Sequence, residues 1–181
     1  VRAVVGQQIS VKAADSVWAK VMAKALAQSH EVRVMAPEMM LALTDEELRG
    51  CGLSGSKVRY IQGIARGFAE GTVHPGLWDG MDDAAVIAEL VKLPGIGRWA
   101  AEVFLIFHLL RPDVLPVGDL GLLKGFEQLY GPVRGTAKLE GMARWKKVAV
   151  VMEKHAVRWA PYRTVAVWYL WRSLDPVEVG Y

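Results

Sequence analysis

The residues best suited to chemistry stand in one short string, Leu93-Pro94-Gly95-Ile96-Gly97-Arg98-Trp99-Ala100-Ala101, between two helical patterns. A bend of only Pro-Gly-x-Gly demands backbone angles that glycine reaches cheaply, and it leaves the N–H groups at the start of the next helix facing outward. Those groups, with the positive end of the helix dipole, form a cradle that holds a phosphate without reading bases. The competing reading is a glycine-rich turn between helices with no ligand. A second group is Asp119 in Val117-Gly118-Asp119-Leu120, which by position alone is an N-cap for a helix over 120–130. A third is charge. Arg134, Lys138, Arg144, Lys146, Lys147, Lys154, Arg158 and Arg163 stand against only Glu140 and Glu153, a local +6, whereas residues 1–100 carry eleven basic and eleven acidic residues. Interleaved with Trp145, Trp159 and Tyr162, that segment suits a polyanion such as nucleic acid, although a solvated basic helix face is the commoner use of such a run.

The elements that must position these groups read as helices throughout. From Ser10, a natural N-cap, to Gln28 the residues Ala14, Val17, Trp18, Val21, Met22 and Ala25 recur at steps of three and four. Pro37 opens a short helix, Thr44-x-x-Glu47 has the form of a capping box for another, and Gly50 and Gly52 end it. Ser54 or Ser56 caps a helix carrying Ile61, Ile64, Ala65 and Phe68 that stops at Gly71, and Asp82 starts one to about Val91. Further helices are expected at Arg98–Leu110, about Leu120–Tyr130, about Leu139–Trp159, and from Pro161 to about Ser173. No stretch alternates with period two between turn residues, so the chain is expected to be all-α, with roughly nine helices in one domain.

Composition excludes several classes. At 181 residues and 19.9 kDa the chain can bury roughly 70% of its unfolded surface, and a net charge of +3 with 23% charged residues is ordinary for a globular protein. The single cysteine, Cys51, cannot build a disulfide framework, a four-cysteine metal site or an iron–sulfur cluster, and it fits a reducing compartment. The apolar stretch Trp99–Leu110 is broken by Glu102 and His108 and is shorter than the roughly 18 residues that span a bilayer, so no membrane span is expected. The start Val1-Arg2-Ala3 lacks both an initiator methionine and the apolar core of a signal peptide, so further residues are expected upstream.

The Leu93–Arg98 string resembles the helix-hairpin-helix of the DNA glycosylase superfamily, and Asp119 stands where that superfamily places its catalytic aspartate. Gly6-Gln7-Gln8-Ile9-Ser10-Val11-Lys12-Ala13-Ala14 near the start and Trp159-Ala160-Pro161-Tyr162-Arg163 through Trp171-Arg172 near the end narrow the likeness to the 3-methyladenine DNA glycosylase II family. The resemblance implies an all-α fold of two lobes, a central one of about 31–131 and a terminal one from about 1–30 and 132–181, with the base-binding cleft between them. It implies excision of alkylated purines from double-stranded DNA in base excision repair, by a monomer in the cytoplasm and nucleoid, or in the nucleus of a eukaryote.

Residue roles follow from the same resemblance. Superfamily members that also nick the backbone place a lysine directly after the Gly-x-Gly-Arg of the hairpin, where the amine forms a Schiff base with the sugar. Here that residue is Trp99, which implies water as the nucleophile and an abasic site as the product. Asp119 would stabilise the cationic sugar and orient the water. Trp99 and Trp171 match the base pocket, where aromatic faces attract a cationic base, whereas Trp18, Trp145 and Trp168 are expected in the core or at a lobe interface. Gln8 matches the residue that fills the gap left by the flipped base, although some members have an apolar residue there. Gly95, Ile96, Gly97, Arg98 and Arg163 match DNA contacts. The carbonyls of Val91, Leu93 and Ile96 match a site for a structural Na⁺ or K⁺; no other cofactor is implied. Two alternatives stay open: a glycosylase of the same fold for deaminated or oxidised bases, and a DNA-binding module without chemistry.

Overall fold

The computed structural model describes residues 1–6, 9–27 and 36–174. Among these the chain is all-α: ten α-helices, two 3₁₀ turns and no strand. They form two compact units, Val1–Ala101 and Glu102–Tyr181, a partition by packing that differs from the lobe boundaries implied by the resemblance.

The first unit holds α1 (Arg2–Gly6), α2 (Val11–Ala27), α3 (Pro37–Leu41), α4 (Asp45–Gly50), α5 (Gly55–Ala69), a 3₁₀ turn (Pro75–Gly80), α6 (Asp83–Leu90) and the start of α7 (Arg98–Phe107). Its helices begin where side-chain oxygens can take their orphan N–H groups. Ser10 Oγ accepts from Ala13 N, Ser54 Oγ from Lys57 N and Asp82 Oδ1 from Ala85 N. Thr44 and Glu47 close the expected capping box, each accepting the other's N–H at 3.2 and 2.9 Å. α5 is the central element, with Val58, Ile61, Ile64 and Ala65 buried. Its Lys57 reaches back to donate from Nζ to Val5 O at 2.7 Å, which ties down the last turn of α1.

The 3₁₀ turn is held by one carboxylate. Glu89 on α6 accepts from Trp78 Nε1 at 2.7 Å and from His74 N at 3.1 Å, and His74 Nδ1 lies 2.8 Å from its other oxygen. These bonds, the His74 side chain first, lower the Glu89 pKa to about 2 from the ordinary 4.5. A depressed carboxylate stabilises the fold above its unfolded pKa and loses that contribution as pH falls towards the folded value. The melting temperature of the wild type should therefore fall more steeply than that of Glu89→Gln between about pH 4.5 and 2, as followed by thermal denaturation at stepped pH.

The second unit holds the end of α7, α8 (Leu120–Tyr130), α9 (Gly141–Ala156), a 3₁₀ turn (Val157–Trp159) and α10 (Arg163–Arg172). α8 packs on both α9 and α10, burying Leu122, Leu123, Phe126, Val148, Met152, Val167 and Leu170. At Gly125 a Cβ would lie 2.2 Å from Leu170 O, so glycine there lets α8 meet the backbone of α10. α7 ends at Phe107, three residues before the expected Leu110, because Leu110 turns left-handed at φ 54° and Arg111 N donates back to Leu105 O ahead of Pro112. α9 and α10 each start two residues later than expected.

Candidate functional site

In the first unit the hairpin runs from the end of α6 into α7. Leu93 is buried, Ile96 N donates to Leu93 O at 3.2 Å, and Ala101 N donates to Gly97 O, which makes Gly97 the first cap of α7. Two glycines of α5 let the hairpin seat: a Cβ at Gly63 would fall 2.3 Å from Pro94 Cγ, and one at Gly67 the same distance from Leu93 Cδ2. Gly95 has φ +78°, and its missing Cβ would fall 2.6 Å from Tyr60 Cγ. Conformation and packing thus both require glycine at 95. Gly97 is different, because no atom lies within 4 Å of where its Cβ would stand. No neighbouring atom therefore requires a glycine at 97, and the space its side chain would occupy is open. Gly97, Arg98 and Trp99 are all exposed, while Ala100 and Ala101 turn into the core.

In the second unit Asp119 is the N-cap of α8: its Oδ1 accepts from Leu122 N at 2.6 Å. The same oxygen accepts from Trp171 Nε1, on α10, at 3.1 Å. The structure therefore brings together Asp119 and Trp171, two residues singled out for different roles. Trp171 stacks on Phe107 with centroids 5.7 Å apart at 15°, and Trp168 meets both rings edge-on. Phe107, the last residue of α7, was invisible to motif reading because only the packing of α10 places it there. Trp168, expected in the core or at a lobe interface, is half exposed and so is not a core residue. α10 mixes apolar and polar residues on every side, so its periodicity could not say which ring faced inward.

Arg163 forms a two-pronged ion pair with Asp113 (Nε to Oδ1 and Nη2 to Oδ2, both 2.7 Å), and its N–H donates to Oδ1 as well. Its guanidinium holds the Asp113 carboxyl below the usual carboxylate range. Thr164 Oγ1 donates to Arg111 O and accepts from Val114 N. Arg163 and Thr164 together bind the loop before Asp119 to the start of the helix that carries Trp171. Part of the basic segment is also used inside this unit: Arg144 pairs with Glu127 and lies over Trp145, and Lys147 Nζ donates to Gly135 O. Lys146, Lys154 and Arg158 are exposed. Gln8 lies outside the described residues. Among the described residues no cluster of three or more His, Cys, Asp or Glu is arranged to hold a metal ion, and no helix is long and apolar enough to cross a membrane.

The glycine hairpin with its outward helix start, followed on an all-helical scaffold by the capped Asp119, keeps the features on which the sequence resembles the helix-hairpin-helix class. The chain belongs to the HhH-GPD superfamily of base excision DNA repair proteins, whose family model matches residues 1–149. It is 32% identical over 177 residues to DNA-3-methyladenine glycosylase 1 of Schizosaccharomyces pombe, covering 96% of this chain and 70% of that protein. Among solved structures it is similar to a DNA-3-methyladenine glycosidase of Bacillus halodurans, with 35% identity and a TM-score of 0.77 over 95% of this chain and 72% of that one. It is also similar to the S. pombe 3-methyladenine DNA glycosylase Mag1 in complex with abasic DNA, with 31% identity and a TM-score of 0.75 over 94% and 76% of the respective chains.

Proposed function

We propose that this chain is a monofunctional DNA glycosylase that excises alkylated purines of the 3-methyladenine and 7-methylguanine type and leaves an abasic site. The observation that carries the reading is the Asp119 carboxylate, fixed by two N–H donors at the start of α8. The C1′–N bond breaks, its electron pair leaves with the base, and positive charge develops on the sugar. A carboxylate already held in place stabilises that charge without reorganisation. Water then bonds to C1′ and loses its proton towards the carboxylate or solvent. An alkylated purine cation needs little help to depart, so recognition falls to aromatic faces, the role the resemblance gives to the indoles of Trp99 and Trp171. Gly97 and the N–H groups opening α7 hold a phosphate of double-stranded DNA, on which the protein works as a monomer. The carbonyls of Val91, Leu93 and Ile96 are hard, neutral oxygens of the kind that suit Na⁺ or K⁺. Leu93 O already accepts the Ile96 N–H and has a second lone pair to offer.

The deciding assay is release of 3-methyladenine and 7-methylguanine from alkylated DNA by the purified protein; release of neither would overturn the reading. The absence of lyase chemistry has its own test, because Trp99 cannot form a Schiff base. Borohydride added during turnover should trap no protein–DNA adduct, with strands breaking only after alkali or heat. A stoichiometric covalent band would mean that another amine, such as Lys124, attacks the sugar.

A further inference from the structure

We infer that Trp171 acts in this reaction as a positioning residue for Asp119, through its indole N–H, and that position 121 is glycine to leave room for that bond. The inference rests on the proposal that Asp119 stabilises the sugar cation. The Leu122 N–H at 2.6 Å already satisfies everything an N-cap asks of Asp119. The second donor comes from another helix, 52 residues later, and converges on the same Oδ1 at 3.1 Å. An indole N–H can only donate, so the direction of this bond is fixed. A donor from outside α8, added to the local cap bond on the same oxygen, restrains the orientation of the carboxylate.

The rest of the second unit maintains that donor. Phe107 stacks on the Trp171 ring and Trp168 abuts it edge-on. The Arg163–Asp113 pair and Thr164 fasten the start of α10 to the loop that leads to Asp119. Gly121 supplies an independent observation. It lies within the first turn of α8 with no positive φ, so the backbone itself does not call for glycine there. A Cβ there would stand 3.0 Å from Asp119 Oδ1 and 3.8 Å from Trp171 Cδ1. An alanine would push the carboxylate by a few tenths of an ångström, so the missing side chain serves the Asp119–Trp171 pair and not the backbone.

A pocket wall and a positioning donor respond differently to Trp171→Phe, which keeps an aromatic face and deletes the N–H. Single-turnover excision of 7-methylguanine at saturating enzyme should fall roughly tenfold, the scale of one hydrogen bond to a charged group, with affinity for an abasic duplex unchanged. Gly121→Ala should reproduce the rate loss without a change in affinity. In an Asp119→Asn background neither substitution should lower the rate further, because both act through the lost charge. Full additivity of Trp171→Phe with Asp119→Asn, or a wild-type rate for Trp171→Phe, would overturn the inference. Independently of activity, the ¹H–¹⁵N resonance of the Trp171 indole should move, and its hydrogen exchange quicken, in Asp119→Ala. An unmoved resonance would overturn it as well. If the wild type releases no base, the glycosylase reading falls, and the indole resonance still decides whether Trp171 holds Asp119.

Discussion

Asp119→Asn should lower single-turnover excision of alkylated purines by at least about 10²-fold, the scale of removing a preorganised electrostatic stabiliser. The substitution is informative because of what it retains. Asparagine keeps an Oδ1 that can accept from both Leu122 N and Trp171 Nε1, so the cap of α8 and its tie to α10 survive while the negative charge is lost. Melting temperature and affinity for abasic duplex should therefore stay close to wild type. Asp119→Ala gives the contrast: it removes the cap as well and should cost about 1 kcal/mol of stability in addition to the rate. The two variants separate Asp119 as a structural cap from Asp119 as a chemical group, two readings that position alone could not rank. If the asparagine variant excises at a near-normal rate, Asp119 has no part in the mechanism.

What the sequence disclosed divides by range. Ser10, Thr44, Ser54, Asp82 and Asp119 each follow a rule that acts within one helical turn, and each caps the helix expected of it. The bounds of α8, Leu120–Tyr130, were legible to the residue because a cap and Gly131 frame an unbroken pattern. The elements that escaped depend on distant partners. α1 is only five residues long, and its last turn is tied by a lysine 52 positions away. The 3₁₀ turn at Pro75–Gly80 depends on Glu89 of the following helix. Gly63 and Gly67 look like ordinary small residues of an amphipathic helix until Pro94 and Leu93 are seen against them. The candidate site shows the same division. Motif spacing found Asp119, Trp171 and the hairpin glycines, but the bond between Asp119 and Trp171, the ring of Phe107 beside it and the Asp113–Arg163 clamp all cross 50 or more positions. No local pattern encodes them.

The two hairpin glycines should fail in different ways when each is replaced by valine. At Gly95 a valine meets a backbone held at φ +78°, which a β-branched residue adopts only under strain, and its Cβ falls 2.6 Å from Tyr60 Cγ. Strain of this kind costs on the order of 1–3 kcal/mol, so Gly95→Val should lower the melting temperature and weaken DNA binding as a consequence of a displaced hairpin. At Gly97 no atom lies within 4 Å of the new Cβ, so Gly97→Val should lose only the preference for glycine as the cap of α7, on the order of 0.5–1 kcal/mol, and stay folded. Its side chain would stand instead where a phosphate must approach the first N–H groups of α7. Losing hydrogen bonds to a charged phosphate costs roughly 1.5–3 kcal/mol, or about 10- to 100-fold in affinity. Because the cradle reads no sequence, that loss should be equal on undamaged and abasic duplexes, as measured by titration at one fixed salt concentration. A folded Gly97→Val protein that binds plain duplex as tightly as the wild type would remove the hairpin from the DNA interface.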